Sequence, residues 1–212
     1  MPTVTQDAIV RRPGTTGRKQ KIVAEFRRSE ILDAATKVFG AKGFEAARME
    51  EIAKTARLAK GTLYLYFRSK EAIYQATARR ALDRLAALTE QQVQTEATYA
   101  GKIAAFIRIR VAFWSEQQAL YRVILSLSRE GRHRKQCIGW QRETVLYLET
   151  IFAEGARRGE IPAQDFVGAA WAVMDAIRGV SERRIYSEGR SIEEDTRFLT
   201  DFLLRALGII QQ

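Results

Sequence analysis

The segment Met49-Glu50-Glu51-Ile52-Ala53-Lys54-Thr55-Ala56-Arg57-Leu58-Ala59-Lys60-Gly61-Thr62-Leu63-Tyr64-Leu65-Tyr66-Phe67 holds two short apolar periods separated by Arg57-Leu58-Ala59. Met49, Ile52, Ala53 and Ala56 recur at helical spacing, and Leu63 and Phe67 supply the inner face of a following helix over Lys60–Phe67. Two such helices joined by a tight turn form a helix-turn-helix, which lays the N-terminal half of its second helix in the major groove of duplex DNA. Ala53 is small where the helices must approach, Leu58 plugs the turn, and Gly61 allows close approach of another surface. Outward, Lys60, Thr62, Tyr64 and Tyr66 offer one cation and three hydroxyls able to reach phosphates, with Lys60 and Thr62 also suited to base edges. The competing reading is a helical hairpin with surface tyrosines.

Upstream, Ile31, Ala35, Val38 and Phe39 predict a helix from about Glu25 that ends at Gly43, a residue suited to the left-handed conformation. Residues 1–22 read as a flexible basic arm, with Arg11, Arg12, Arg18, Lys19 and Lys21 and no apolar period. Residues 1–70 carry 15 Lys and Arg against 7 Asp and Glu, whereas residues 71–212 carry 20 against 18, so most of the net +10 lies in the first third. Concentrated positive charge attracts a polyanion and releases its condensed counterions, which makes nucleic acid the leading partner. In the arm, Arg18 and Lys19 lie close enough to the first helix to reach a minor groove; the alternative is a solubilising tail.

Downstream, Ser69 caps a fourth helix running to about Gln94, and Gly101, Gly131, Gly159 and Gly189 punctuate helices near 102–115, 117–129, 134–158, 163–187 and 192–210. Proline is missing from 14 to 161. The alternation Ile107-Arg108-Ile109-Arg110-Val111 is strand-like, yet Ile103, Ile107, Val111 and Trp114 also make a helical stripe and no partner strand is visible. The fold class is all-α: a helix-turn-helix domain over 23–68, and a helical effector-binding and dimerisation domain over 69–212. No apolar run reaches the length of a membrane span and no signal core precedes the first helix, so a cytoplasmic location is expected. With Cys137 and His133 each alone of its kind, no disulfide, metal cluster, cofactor or Cys/His catalytic pair is expected.

The run from Ala59 to Glu71, with Ile31-Leu32-Asp33-Ala34-Ala35, Phe39, Gly43-Phe44 and Ile52-Ala53, closely resembles the signature of the tetracycline-repressor (TetR) family of transcriptional regulators. The resemblance is strong over residues 27–75; beyond them it extends to length and helix count. It implies an all-helical homodimer with an N-terminal DNA-binding domain and a C-terminal domain that takes a small molecule. It also implies operator contacts at Lys60, Thr62, Tyr64, Tyr66 and Lys70, the last gripping a phosphate. Two departures stand out: Ala47 and Arg48 replace the usual capping Thr of the second helix, with Arg48 able to restore its phosphate contact by charge, and the turn reads Arg57-Leu58-Ala59 where Gly followed by Ser is common. Arg57 is therefore strained if left-handed, and Ala59 cannot cap the recognition helix.

Aromatic residues concentrate in the C-terminal half. Most belong to a core, with Phe106, Trp114, Tyr121, Tyr147, Trp171 and Met174 as candidates for an effector pocket taking an apolar or amphipathic molecule. Arg110, Arg122 and Arg178 are candidate anchors for an acidic effector. Small residues Ala169, Ala172 and Ala176, and the stripe Leu199, Phe202, Leu203 and Ala206 on a last helix capped by Ser191 and Glu194, are candidates for a four-helix dimer interface; burial within one subunit is the competing assignment. The expected function is a one-component regulator, read as a repressor, that binds a palindromic operator as a dimer and is released by an effector. The alternatives are a non-regulatory architectural DNA binder and, last, a helical enzyme, for which no nucleotide loop, triad or metal cluster is visible.

Overall fold

The computed structural model describes residues 15–128, 131–186 and 190–209, without the side chains of residues 15, 16, 126, 127 and 131–133. Among the described residues the chain is helical throughout, in the order α1 (Thr15–Ala46), α2 (Met49–Thr55), α3 (Lys60–Tyr66), α4 (Lys70–Thr95), α5 (Tyr99–Glu116), α6 (Gln118–Ser128), α7 (Gly131–Arg157), α8 (Phe166–Tyr186) and α9 (Ile192–Ala206).

The first three helices enclose a small core. Ile31, Ala35 and Phe39 of α1 meet Ile52 of α2, Leu63 of α3 and Phe67 just beyond it, and Ile73, Tyr74 and Ala78 of α4 close the cluster. Phe44 packs its ring 5.6 Å from that of Phe39 and 5.5 Å from that of Tyr74. Gly43 has φ 79°, so the expected left-handed glycine does break α1, leaving a last turn that aims Phe44 inward.

α1 begins at Thr15, eight residues inside the segment expected to be a flexible arm. Arg18, Lys19, Gln20 and Lys21 are good helix formers, and a helix already nucleated by the core of α1 propagates into them without an apolar stripe. Arg11 and Arg12 lie outside the described residues.

The second core surrounds α5, against which α4, α7, α8 and α9 pack. This explains the alternating stretch: Ile107, Ile109, Arg110 and Val111 are all buried and only Arg108 faces solvent, because a helix enclosed by neighbours has no polar face to preserve. Val145, Leu148 and Phe152 of α7, Val173 and Ile177 of α8, and Leu203 and Leu204 of α9 fill the surrounding space. Side chains fix the helix starts: Ser69 Oγ accepts from Ala72 N at 3.2 Å, Thr98 Oγ1 from Gly101 N at 3.1 Å, and Ser191 and Glu194 exchange the two bonds of a capping box at 3.1 and 2.8 Å.

The two cores share helices. α4 contributes Ile73 and Tyr74 to the first and Leu85 and Val93 to the second, while α6 sends Val123 into the first. At the crossing of α1 and α6 a Cβ on Gly40 would lie 2.5 Å from Ala119 Cβ, so only glycine permits this approach.

Candidate nucleic-acid interface and adjoining cavities

α2 ends in the hydrogen-bond pattern usually built on a glycine. Leu58 N donates to Ala53 O at 2.9 Å and Arg57 N to Lys54 O at 3.1 Å, closing both bonds of the terminal turn. Arg57 occupies the left-handed position at φ 57°, the one non-glycine residue with positive φ among those described. The strain expected from the Arg-Leu-Ala turn is therefore present. Leu58 is half-buried against the first core, which holds α3 at a set angle to α2. Ala59 gives α3 no side-chain cap. At the start of α2, Arg48 offers no acceptor either, but the Glu51 carboxylate reaches back to Arg48 N at 3.1 Å and so supplies half of a capping box. Ion pairing with Lys42, aided by that backbone bond, holds the Glu51 carboxyl below its ordinary pKa.

Leu63 is fully buried, so α3 is anchored by one face and presents the other. Lys60, Gly61 and Tyr64 are exposed, Thr62 and Tyr66 half-buried, and Arg48 exposed at the start of α2. Lys60 pairs with Glu50 of α2; the pair raises the lysine's pKa and lowers the carboxyl's. The tip of α3 is thus tied to the first turn of α2, and Arg48 adds to the local positive potential around Glu50. Arg18 and Lys19 are exposed on the first turns of α1.

Lys70, which the resemblance places at a phosphate, also has partners within the chain. Its ammonium donates to the Phe44 and Glu45 carbonyls at 2.7 and 3.0 Å and lies 4.5 Å from the Phe44 ring centre. It thereby satisfies carbonyls at the end of α1 and ties that end to the start of α4.

Two outward residues escaped the sequence reading. Leu65 is 84% exposed in the middle of α3, and Arg68 is exposed just after it. The signal was there: residues 63 and 65 point roughly 200° apart on a helix, so with Leu63 inside Leu65 must face out. An apolar side chain there can meet the methyl of thymine in a major groove.

Behind this domain α4, α5, α6, α7 and α8 enclose two adjoining cavities. The first, of about 90 Å³, is lined among others by Trp114, Tyr121, Leu125, Trp140, Met174 and Ile177. The second, of about 190 Å³, lies between α4, α5 and α7 beside Thr89, Glu90 and Tyr147. Leu82, Leu85, Arg110, Trp140 and Thr144 border both. Of the residues proposed for a pocket, Trp114, Tyr121 and Met174 line the first and Tyr147 the second. Phe106 instead lies fully buried behind Arg110, whose guanidinium is 3.7 Å from its ring centre, and Trp171 packs at the edge of the second core without lining either cavity. Of the candidate anchors, Arg110 and Arg178 reach the first cavity, while Arg122 is exposed and directed to Ile185 O at 3.5 Å. Burial without a counter-charge pulls the Arg110 pKa down to about 9, and burial likewise raises the Tyr121 and Tyr147 hydroxyls. Cys137 also lines the first cavity; burial pushes its thiol up, the reverse of what a reactive thiolate requires. The side chain of His133 lies outside the described residues.

The candidate dimer face is corrected at two positions. Leu199 and Leu203 are 3% and 5% exposed and belong to the second core, because the apolar stripe of α9 faces α5 within the subunit. Phe202 and Ala206 remain exposed, and Phe202 stacks on the equally exposed Phe198 with ring centres 6.0 Å apart. On α8, Ala172 is exposed, while Ala169 and Ala176 are half-buried against the core.

Residues 31–77, the stretch containing this helix-turn-helix, match the bacterial regulatory proteins of the tetR family. The likeness reaches well past that domain. The chain is 31% identical over 193 residues to the HTH-type transcriptional regulator BetI of Rhizobium meliloti (strain 1021), covering 86% of this chain and 91% of that protein. It is 30% identical over 134 residues to the fatty acid metabolism regulator protein of Bacillus subtilis (strain 168), covering 62% of this chain and 69% of the relative. In fold it resembles AibR, solved in complex with isovaleryl coenzyme A and operator DNA, with a TM-score of 0.68 at 19% identity over 87% of this chain and all of that one. An anchored reading helix with a cationic tip, and sequence identity carried through both cores, lead to one conclusion: the chain belongs to the tetR family of bacterial regulatory proteins and is a DNA-binding transcriptional regulator.

Proposed function

We propose that this regulator binds a pseudo-palindromic operator as a homodimer, acts as a repressor, and is released when a small molecule enters the cavities between α4 and α8. The observation that carries this reading is the continuity of α4 and α6. Each helps build the first core beneath α3, and each lines a cavity. A ligand that moves α4 or α6 therefore moves the platform of the recognition helix, and the spacing of two such helices must fit successive major grooves about 34 Å apart.

In this reading residues 23–68 read DNA and residues 69–212 bind effector and partner. Lys60, Tyr64 and Leu65 face bases or phosphates, Arg48, Thr62 and Tyr66 grip the backbone, and Arg18 and Lys19 extend the basic surface, while Lys70 positions α4. Phe198 and Phe202 of α9, with Ala172 and Ala206, supply the dimer face. The protein acts by binding rather than catalysis, in the cytoplasm; among the described residues no helix is long and apolar enough to cross a membrane. That AibR was solved with an acyl thioester and operator DNA, and that a relative is a fatty acid metabolism regulator, support a ligand with an apolar body.

Selection from random oligonucleotides with the purified protein tests this. An enriched palindrome, lost in a stably folded Tyr64→Ala variant, is the expected result. Equal affinity for all sequences would favour the architectural reading, and a monomer in sedimentation would remove the operator geometry.

A further inference from the structure

Arg110 is an unusual residue to find inside a helical core. It is 4% exposed, and among the described residues no carboxylate pairs with it. Among the described residues its guanidinium makes one hydrogen bond, to Thr89 Oγ1 at 2.9 Å, and that hydroxyl donates onward to Leu85 O at 2.7 Å. A guanidinium has five N–H donors, so most of its hydrogen-bonding capacity is left without a protein acceptor. The Phe106 ring beneath offers its π face but no lone pair. Buried charges are ordinarily paired. This one borders both cavities.

The two cavities differ in charge. Asp83, Glu90 and Glu143 line the second, where Arg79 already pairs with Asp83 and Glu143. Among the described residues the first holds Arg110 and Arg178 and no acidic side chain; Arg178 already pairs with Asp175 at 3.0 Å, which leaves Arg110 as its uncompensated charge, and the rest of the wall is largely apolar and aromatic. Building on the effector role given to these cavities, we propose that the first cavity takes an amphipathic organic anion, its carboxylate paired with the Arg110 guanidinium. The body of the ligand lies against Trp114, Leu125, Met174 and Ile177. A planar carboxylate matches the guanidinium fork and supplies the missing acceptors, whereas an ester or thioester of the same acid brings no charge to that point.

The probes are octanoate, decanoate and phenylacetate, each against its methyl ester, titrated into the full chain by calorimetry. The fluorescence of Trp114 and Trp140, which both line the cavity, gives a second readout. The free acids are expected to bind roughly 10- to 100-fold more tightly than the esters, the range of a charge-assisted hydrogen bond in a desolvated site. Arg110→Met is expected to abolish that preference while still binding the esters, and Arg110→Lys to keep part of it. Acids and esters binding alike to the parent protein, or Arg110→Met keeping the preference, would overturn the carboxylate assignment and leave the cavity as an effector site. If neither acids nor esters bind, the assignment and the effector reading fall together.

Discussion

Replacing Arg110 with methionine should stabilise the ligand-free protein. Pulling the guanidinium pKa well below its ordinary value, to about 9, corresponds to a penalty on the order of 5 kcal/mol on holding the charged form inside the fold. Against this stand the interactions that methionine forfeits: stacking on Phe106, about 1–2 kcal/mol, and the bond to Thr89, about 1 kcal/mol. Thr89 keeps its own bond to Leu85 O and is not orphaned. Methionine is unbranched and fills the same space, so overpacking and cavity costs are small. A net gain of about 2–3 kcal/mol follows, a rise in Tm of roughly 4–12 °C for a chain of this length. Because the folded-state pKa lies below the ordinary one, the penalty is complete below about pH 9 and shrinks only as pH rises above it. The gain should therefore be the same at pH 6 and pH 8. Calorimetric melting and urea unfolding at both values measure it. A variant less stable than the parent would mean that Arg110 is already satisfied without ligand, and the reason for placing an anion beside it would disappear.

Arg57→Gly should relieve the left-handed strain at φ 57° and stabilise by about 1 kcal/mol, whereas Arg57→Ala should not; a matching gain from alanine in urea melts would show the arginine side chain, not its backbone, to be at fault. Asp195 is fully buried and accepts from Arg183 at 2.7 Å and Arg184 at 2.9 Å, so Asp195→Ala should cost about 1–3 kcal/mol by removing the charge partner of the largely buried Arg184, while the half-exposed Arg183 turns to solvent, read as a fall in the urea midpoint. Glu50→Gln should free Lys60 and strengthen binding to duplex DNA at low salt, with a steeper salt dependence; unchanged affinity in filter binding would mean that Lys60 touches no phosphate. Deleting residues 1–21 should flatten the same salt dependence, by a slope of roughly 0.9 for each phosphate that the arm neutralises.

The helix-turn-helix was legible because its information is local. Leu63 and Phe67 at helical spacing, the small Ala53 and the odd residue Arg57 each state their role within a few positions, and the strained turn could be foreseen from the absence of glycine. Leu65 was missed although a helical wheel places it outward. The resemblance places Lys70 at DNA; its bonds to Phe44 and Glu45 are not legible in the sequence, because those residues lie a full domain core away and meet it only where α1 ends beside the start of α4. The α9 stripe shows the same limit: Leu199 and Phe202 share a periodicity, yet one is buried within the subunit and the other exposed.

From the sequence alone, the class of fold, the DNA-reading motif and the concentration of positive charge at one end were determined, since propensity, periodicity and net charge are properties of neighbouring residues. Which aromatic residues surround empty space, which face of α9 is spare, and that Arg110 stands buried without a counter-ion were decided only in three dimensions. A cavity or an unpaired charge is a relation among helices distant in sequence, and whether a charge is compensated depends on every element packed around it rather than on the residues beside it in the chain.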